Sequence, residues 1–184
     1  MKINKNYVVL LTFLLLSGCT EKSKDSNSNT GLNNNRNQNN TKAEVNIITS
    51  SQLDSIIQNR FGKILFVNVW ATWAEPSVKE MPDIKLLYEK YKDQDVDFLS
   101  LSVDLTSKID SVVIPFIEKE KINFPVKVVE EKSGMQVMKL LSPKWNGAVP
   151  ASFLFDKNGR REIFIIGRQT LVNLSKGIDS VRVL

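Results

Sequence analysis

Lys63–Trp70 reads KILFVNVW, a run in which apolar, β-branched and aromatic residues fill odd and even positions alike. Alternate residues of a strand point to opposite faces, so this run asks for burial on both sides. Such strands sit inside sheets covered by helices on either face. Six residues after Trp70, Pro76 stands where a first helical turn can begin, a position that needs no N–H. A buried strand feeding directly into a helix is the repeating unit of an α/β domain.

The remaining patterns extend that unit. Glu44–Ile48 is a possible short strand, and Ser50 or Ser51 is placed to cap a helix over Gln52–Arg60, with Leu53, Ile56 and Ile57 on one face. The Pro76 helix runs to about Lys92, with Val78, Met81, Ile84, Leu87, Tyr88 and Tyr91 as its buried stripe, and Pro82 inside it predicts a kink. Val96–Val103 reads as a second strand ending at Asp104, followed by a helix over about Ser107–Lys121. Phe124–Val129 reads as a strand with Pro125 at its start, and Ser133–Leu141 as a short helix. Ala151–Phe155 and Glu162–Ile166 flank Lys157-Asn158-Gly159-Arg160, a strong hairpin signal. Leu171, Leu174, Ile178 and Val181 space a closing amphipathic helix. This order predicts a central mixed sheet with helices on both faces and no internal repeat.

Two counts exclude much chemistry. The 184 residues contain no histidine, so there is no imidazole base, no Ser-His or Cys-His pair and no histidine metal ligand. They contain one cysteine, Cys19, so no intramolecular disulfide, no Cys-x-x-Cys pair and no thiolate zinc cage can form. No cofactor is implied. A haem in the domain's groove would lack histidine and depend on methionine or tyrosine.

The N-terminus reads as an address. Lys2 and Lys5 precede the apolar run Tyr7–Leu16, ten residues that span roughly 15 Å as a helix, half of a bilayer core. That is short for a membrane anchor and suits a signal peptide. Leu16-Ser17-Gly18-Cys19 resembles the bacterial lipobox, which implies a signal peptide over 1–18 and lipid on Cys19. Three acyl chains, expected by analogy with bacterial lipoproteins, would anchor firmly at about 0.8 kcal/mol per buried methylene. Residues 19–43 are then a tether. Between 20 and 42 there are eight Asn and three Ser, and Leu32 is the one large apolar residue, so disorder is expected. As a flexible coil its ends would lie about 26 Å apart.

The formal charge of +5 does not mark a nucleic-acid protein. The first 42 residues hold most of the excess, and residues 43–184 carry 19 basic against 18 acidic groups. A near-neutral domain lacks the basic footprint that nucleic acid requires.

At Val69-Trp70-Ala71-Thr72-Trp73-Ala74-Glu75-Pro76-Ser77-Val78-Lys79-Glu80-Met81-Pro82 the chain resembles thioredoxin-fold proteins, closest to the extracytoplasmic, membrane-tethered TlpA/ResA-like branch. Gly147-Ala148-Val149-Pro150-Ala151-Ser152-Phe153-Leu154-Phe155-Asp156-Lys157-Asn158-Gly159 resembles that family's second signature. The resemblance covers roughly residues 44–184 and implies a thioredoxin-like fold with a cis bond before Pro150. It also implies that Ala74 and Ser77 occupy the positions of two reactive cysteines, and that Glu80 matches an acid beneath the thiols. In the family a strand delivers the first sulfur to a helix N-terminus, which lowers its pKa for attack on a disulfide. Ala74 has nothing to ionise, and a Ser77 hydroxyl needs a nearby base, of which the commonest, histidine, is missing from the chain.

Each remaining candidate carries two readings. Glu80 is either a structural relic or exposed helix acid, or a working acid. Ser77 is a first-turn side chain bonding local backbone rather than a nucleophile. Trp70 and Trp73 are packing residues, with Trp73 also a candidate contact surface. Asp104 is a helix cap rather than a ligand. Trp73, Pro76, Ala148, Val149 and Pro150 form the candidate binding edge, where the family pairs backbone beside its cis-proline with an extended peptide.

The leading expectation is a lipid-anchored, redox-inactive, thioredoxin-like module that binds or scaffolds an extracytoplasmic protein, with the membrane as second partner through Cys19. The alternative is a thiol–disulfide oxidoreductase, acting in disulfide reduction or cytochrome c maturation, whose cysteines have been substituted by Ala74 and Ser77. A cell-envelope location follows in either case. Thr20 and Glu21 lack the Asp that retains some lipoproteins at the inner membrane, which leans towards an outer one.

Overall fold

The computed structural model describes residues 45–184. The expected signal peptide over 1–18 and the expected lipidated Cys19 and tether over 19–43 lie outside the described residues. The described chain runs β1 (Asn46–Ile48), α1 (Ser50–Gln58), β2 (Ile64–Trp70), α2 (Glu75–Tyr91) and β3 (Val96–Ser102). It continues through α3 (Ile114–Glu120), β4 (Val126–Val129), α4 (Gly134–Leu141), β5 (Ala151–Phe155), β6 (Arg161–Ile166) and α5 (Leu171–Arg182).

The strands form one sheet in the order β1-β4-β3-β2-β5-β6. The first four are parallel, while β5 runs antiparallel to β2 and β6 antiparallel to β5. Every residue of β2 is buried, as the KILFVNVW run predicts. Leu65, Val67 and Val69 face a core shared with Leu53 and Ile57 of α1, Val137 and Leu141 of α4, and Trp145. Phe66 and Trp70 face the opposite core, with Met81, Ile84, Leu87 and Tyr91 of α2 and Leu174, Ile178 and Val181 of α5. A fully buried side chain of this kind contributes about 1.5–3 kcal/mol, so α2 and α5 are held by their stripes.

Several expectations change in detail. Thr49, not Ser50 or Ser51, caps α1: its hydroxyl accepts from the Gln52 N–H at 3.3 Å, and the Gln52 side chain accepts from the Thr49 N–H at 2.9 Å. Helix α1 stops at Gln58, and Arg60 turns inward instead, donating to the Ile56 and Ile64 carbonyls and pairing with Asp97 at 2.8 Å. The single helix expected over Ser107–Lys121 is three pieces: a tight 3₁₀ turn, a wide π turn over Ile109–Val113, and α3 proper only from Ile114. Pro115 explains the break, because it has no N–H to continue an α pattern from the preceding turn. Strand β4 begins at Val126, after Pro125, whose carbonyl accepts from the Ser100 N–H at 3.0 Å. Helix α2 continues through Pro82, and Val78 and Tyr88 of its stripe are only partly buried. At the hairpin between β5 and β6, Gly159 has φ +78°, and a Cβ there would stand 2.4 Å from the Ile57 carbonyl oxygen, so only glycine fits.

Candidate functional site

The β2–α2 junction and the segment before β5 lie at the same end of the sheet. The antiparallel register pairs Val69 with Ala151, so Trp70 and Pro150 are the next residues beyond the last paired ones. The Val149–Pro150 peptide bond is cis. Behind it, Trp145 is buried against Phe153 and donates its indole N–H to the Ala148 carbonyl at 2.8 Å. Ala148 is exposed and Val149 half-buried, while Pro150 is buried.

Ala74 is the N-cap residue of α2 and offers no side-chain cap, with Glu75 and Pro76 forming the first turn. Helix N-termini carry partial positive charge from unpaired N–H groups. Ser77 is fully buried and its hydroxyl has no hydrogen-bond partner, so it does not bond local backbone as expected. Trp70 packs in the core, but Trp73 is 69% exposed, and its packing reading falls in favour of surface presentation.

Asp104 is not a helix cap. Its carboxylate accepts from the Thr72 N–H at 3.0 Å, the Thr72 hydroxyl at 2.6 Å and the Ser102 hydroxyl at 2.7 Å. It therefore ties the β2–α2 junction to the end of β3 and holds the turn that presents Trp73.

Glu80 lies one helical turn beyond Ser77 and is completely buried, so it is not an exposed helix acid. One carboxylate oxygen accepts from the Gln169 N–H at 2.7 Å and the other from the Asn68 amide at 3.0 Å. Burial pushes its pKa from 4.5 up to about 7, outweighing the two hydrogen bonds and Arg168, which favour the charged form; Asp83 adds a smaller upward push. The polar seam around it was not singled out in the sequence. Asn68 on β2 stands in register with Ser100 on β3 and Ser152 on β5, and Asn68 Oδ1 and both serine hydroxyls are buried without partners. The signal was present: Asn68 is the one polar residue in an otherwise apolar strand. Among the described residues no cluster of His, Cys, Asp or Glu could hold a metal ion, and no helix is long and apolar enough to cross a membrane.

The AhpC/TSA family pattern matches residues 36–163. The chain belongs to the AhpC/TSA family. Its relatives include thiol-disulfide oxidoreductase ResA of Bacillus thuringiensis (strain Al Hakam), 38% identical over 109 residues, which are 59% of this chain and 58% of the relative. ResA of Geobacillus kaustophilus (strain HTA426) is 31% identical over 121 residues, 66% of this chain and 64% of the relative. The chain thus aligns with less than two thirds of the length of these relatives. Among solved structures, StoA from Bacillus subtilis matches with a TM-score of 0.51 and 26% identity, over 62% of this chain and 81% of StoA. A thioredoxin-family thiol:disulfide interchange protein from Chlorobium tepidum TLS matches with a TM-score of 0.57 and 20% identity, over 67% of this chain and 82% of that one, and shows the same fold. The fold is thioredoxin-like, and the matched ResA relatives are named thiol-disulfide oxidoreductases. This AhpC/TSA member carries no cysteine anywhere in residues 44–184.

Proposed function

We propose that this chain is a redox-inactive member of its family, held to a membrane outside the cytoplasm through lipid on Cys19, and that it recognises a protein partner. The carrying observation is the residue pair at the head of α2. Ala74 and Ser77 offer no sulfur, and the Ser77 hydroxyl is buried with nothing beside it to take its proton. Thiol–disulfide exchange proceeds by thiolate attack on a disulfide sulfur, so without a thiol the reaction has no first step.

What is left at that end of the sheet suits recognition. Trp73, in the turn that follows β2, is 69% exposed at the end of the sheet that also carries the cis-Pro150 segment, which Trp145 braces from behind. An extended segment of the partner pairs its backbone along Ala148-Val149-Pro150 and lays an apolar side chain on Trp73 and the Pro76 turn. The test is photo-crosslinking in living cells from residues placed at Trp73 and Val149. A discrete extracytoplasmic polypeptide captured from both positions supports the reading, and no capture from either refutes it. Palmitate labelling that disappears in C19A tests the anchor.

One observation favours a second reading, an oxidoreductase in which Ala74 and Ser77 are substitutions. Glu80 remains buried and holds its proton to about pH 7, as a group that serves thiols must. Cysteine codons at 74 and 77 of the chromosomal gene would establish it.

A further inference from the structure

Helix α4 and the loop after it form a groove of about 260 Å³ lined by Met135, Met138, Lys139, Ser142, Pro143 and Trp145. Val137 and Leu141 turn into the core and fix the helix, while Met135 and Met138, at i and i+3, share a neighbouring face. Met135 is 73% exposed. Methionine is flexible and polarizable, so a wall of this kind adapts to an apolar guest.

The groove and the candidate binding edge share a wall. Trp145 lines the groove, and its indole N–H holds the Ala148 carbonyl. Met138 lines it too, and a Cβ on Gly147 would stand 3.4 Å from the Met138 methyl carbon. Along the edge, the Ala148 N–H donates to Asn146 Oδ1 at 3.1 Å, and the Pro150 carbonyl accepts from the Gly167 N–H at 2.8 Å. The Val149 N–H and carbonyl have no hydrogen-bond partner among the described residues. That open rung fits the backbone of an extended peptide, which makes polypeptide the occupant of the adjoining groove.

Charge selects among polypeptides. From Lys132 to Phe155 the chain carries three lysines and no acid. Lys132 pairs with Glu130 at 3.1 Å, whereas Lys139 and Lys144, both exposed, pair with no carboxylate among the described residues. Glu131, one turn before Met135, is engaged by the Thr106 N–H at 2.7 Å. Asp54 of α1 lines a second groove that Lys139 shares, and makes no ion pair among the described residues.

We infer that the groove takes a large apolar side chain from an extended, acidic segment of a partner polypeptide, whose backbone pairs with Val149 and whose carboxylates meet Lys139 and Lys144. The inference rests on the reading of the cis-proline segment as a binding edge, and adds the charge and the apolar anchor of what binds there.

The experiment is photo-crosslinking in living cells from residue 135 of the full chain, alongside residue 149, with mass spectrometry locating the crosslinked stretch. Position 135 captures the same polypeptide as position 149, through a stretch in which an apolar residue stands among Asp or Glu residues. K139E/K144E sets like charges against each other and lowers capture at both positions about tenfold or more, while K176E, on exposed α5 surface, leaves it unchanged. The substituted lysines are all exposed, and unchanged urea midpoints confirm that the variants fold. Capture at 149 with none at 135, a crosslinked stretch without acidic residues, or capture that survives K139E/K144E overturns the inference and leaves the binding edge standing. Lipid adducts at 135 in place of polypeptide overturn it in favour of a membrane-facing surface. No capture at either position removes the binding edge and the inference with it.

Discussion

Thr72 and Asp104 are joined twice, by the Thr72 N–H to one carboxylate oxygen at 3.0 Å and by its hydroxyl to the other at 2.6 Å. The pair links the residue two before the head of α2 to the residue two beyond β3, and Asp104 is nearly fully buried while doing so. Hydrogen bonds to a charged acceptor contribute about 1.5–3 kcal/mol each, and their loss leaves buried donors unmet. D104A therefore destabilises the domain by about 3 kcal/mol in urea unfolding, with T72A costing about 1 kcal/mol. Equal effects of the two variants would contradict this assignment of roles.

Glu80 makes stability depend on pH in the direction opposite to a salt-bridged acid. Its pKa is about 7 when folded, against an ordinary 4.5. Below 4.5 both states hold the proton and the contribution is complete. Between the two values the folded state holds a proton that the unfolded chain releases, so stability declines as pH rises, by about 3 kcal/mol in all. Above about 7 the decline stops. Urea midpoints measured at intervals from pH 4 to 8 follow this curve, and E80Q flattens it.

Ser77 offers a test of opposite sign to most core substitutions. Its hydroxyl is buried without a partner, so removing it relieves a desolvation cost and leaves a space of one oxygen atom. S77A is neutral or stabilises by up to about 1 kcal/mol in thermal or urea unfolding. A clear destabilisation would mean that the hydroxyl has a partner after all.

The double variant A74C/S77C tests what the scaffold retains. Residue 74 sits at the N-cap of α2, where unpaired N–H groups lower a thiol's pKa. Glu80 lies one turn below to exchange protons, and cis-Pro150 follows at the neighbouring strand end. The variant reduces insulin with a dithiol donor about tenfold or more above the unaltered chain, which stays at background. Adding E80Q lowers that activity most near neutral pH.

Much of this architecture is legible without coordinates because it rests on local rules. KILFVNVW marks β2 by being apolar on both faces, Asn158-Gly159 marks the β5–β6 hairpin by its need for positive φ, and α5 is marked by its four apolar residues in helical spacing. The three-part region over residues 106–120 was not legible as such. A tight turn, a wide turn and a helix carry one continuous polar and apolar pattern, and Pro115, which a first helical turn tolerates, marks where the α-helix starts without stating what precedes it. Thr49 as the cap of α1 was signalled by Gln52 three residues on, a pairing obscured by two serines that are equally good caps in isolation.

The sequence alone determined which chemistry is absent, because a missing sulfur or imidazole is missing in every conformation. Tertiary structure decided what the remaining polar groups do. Glu80 meets Asn68 and Gln169, and Asp104 meets Thr72, each from a separate stretch of chain, and nothing in their local patterns states that they meet. Burial is a property of what surrounds a side chain, and a proton affinity or a tie between strands is set only when distant segments close around it.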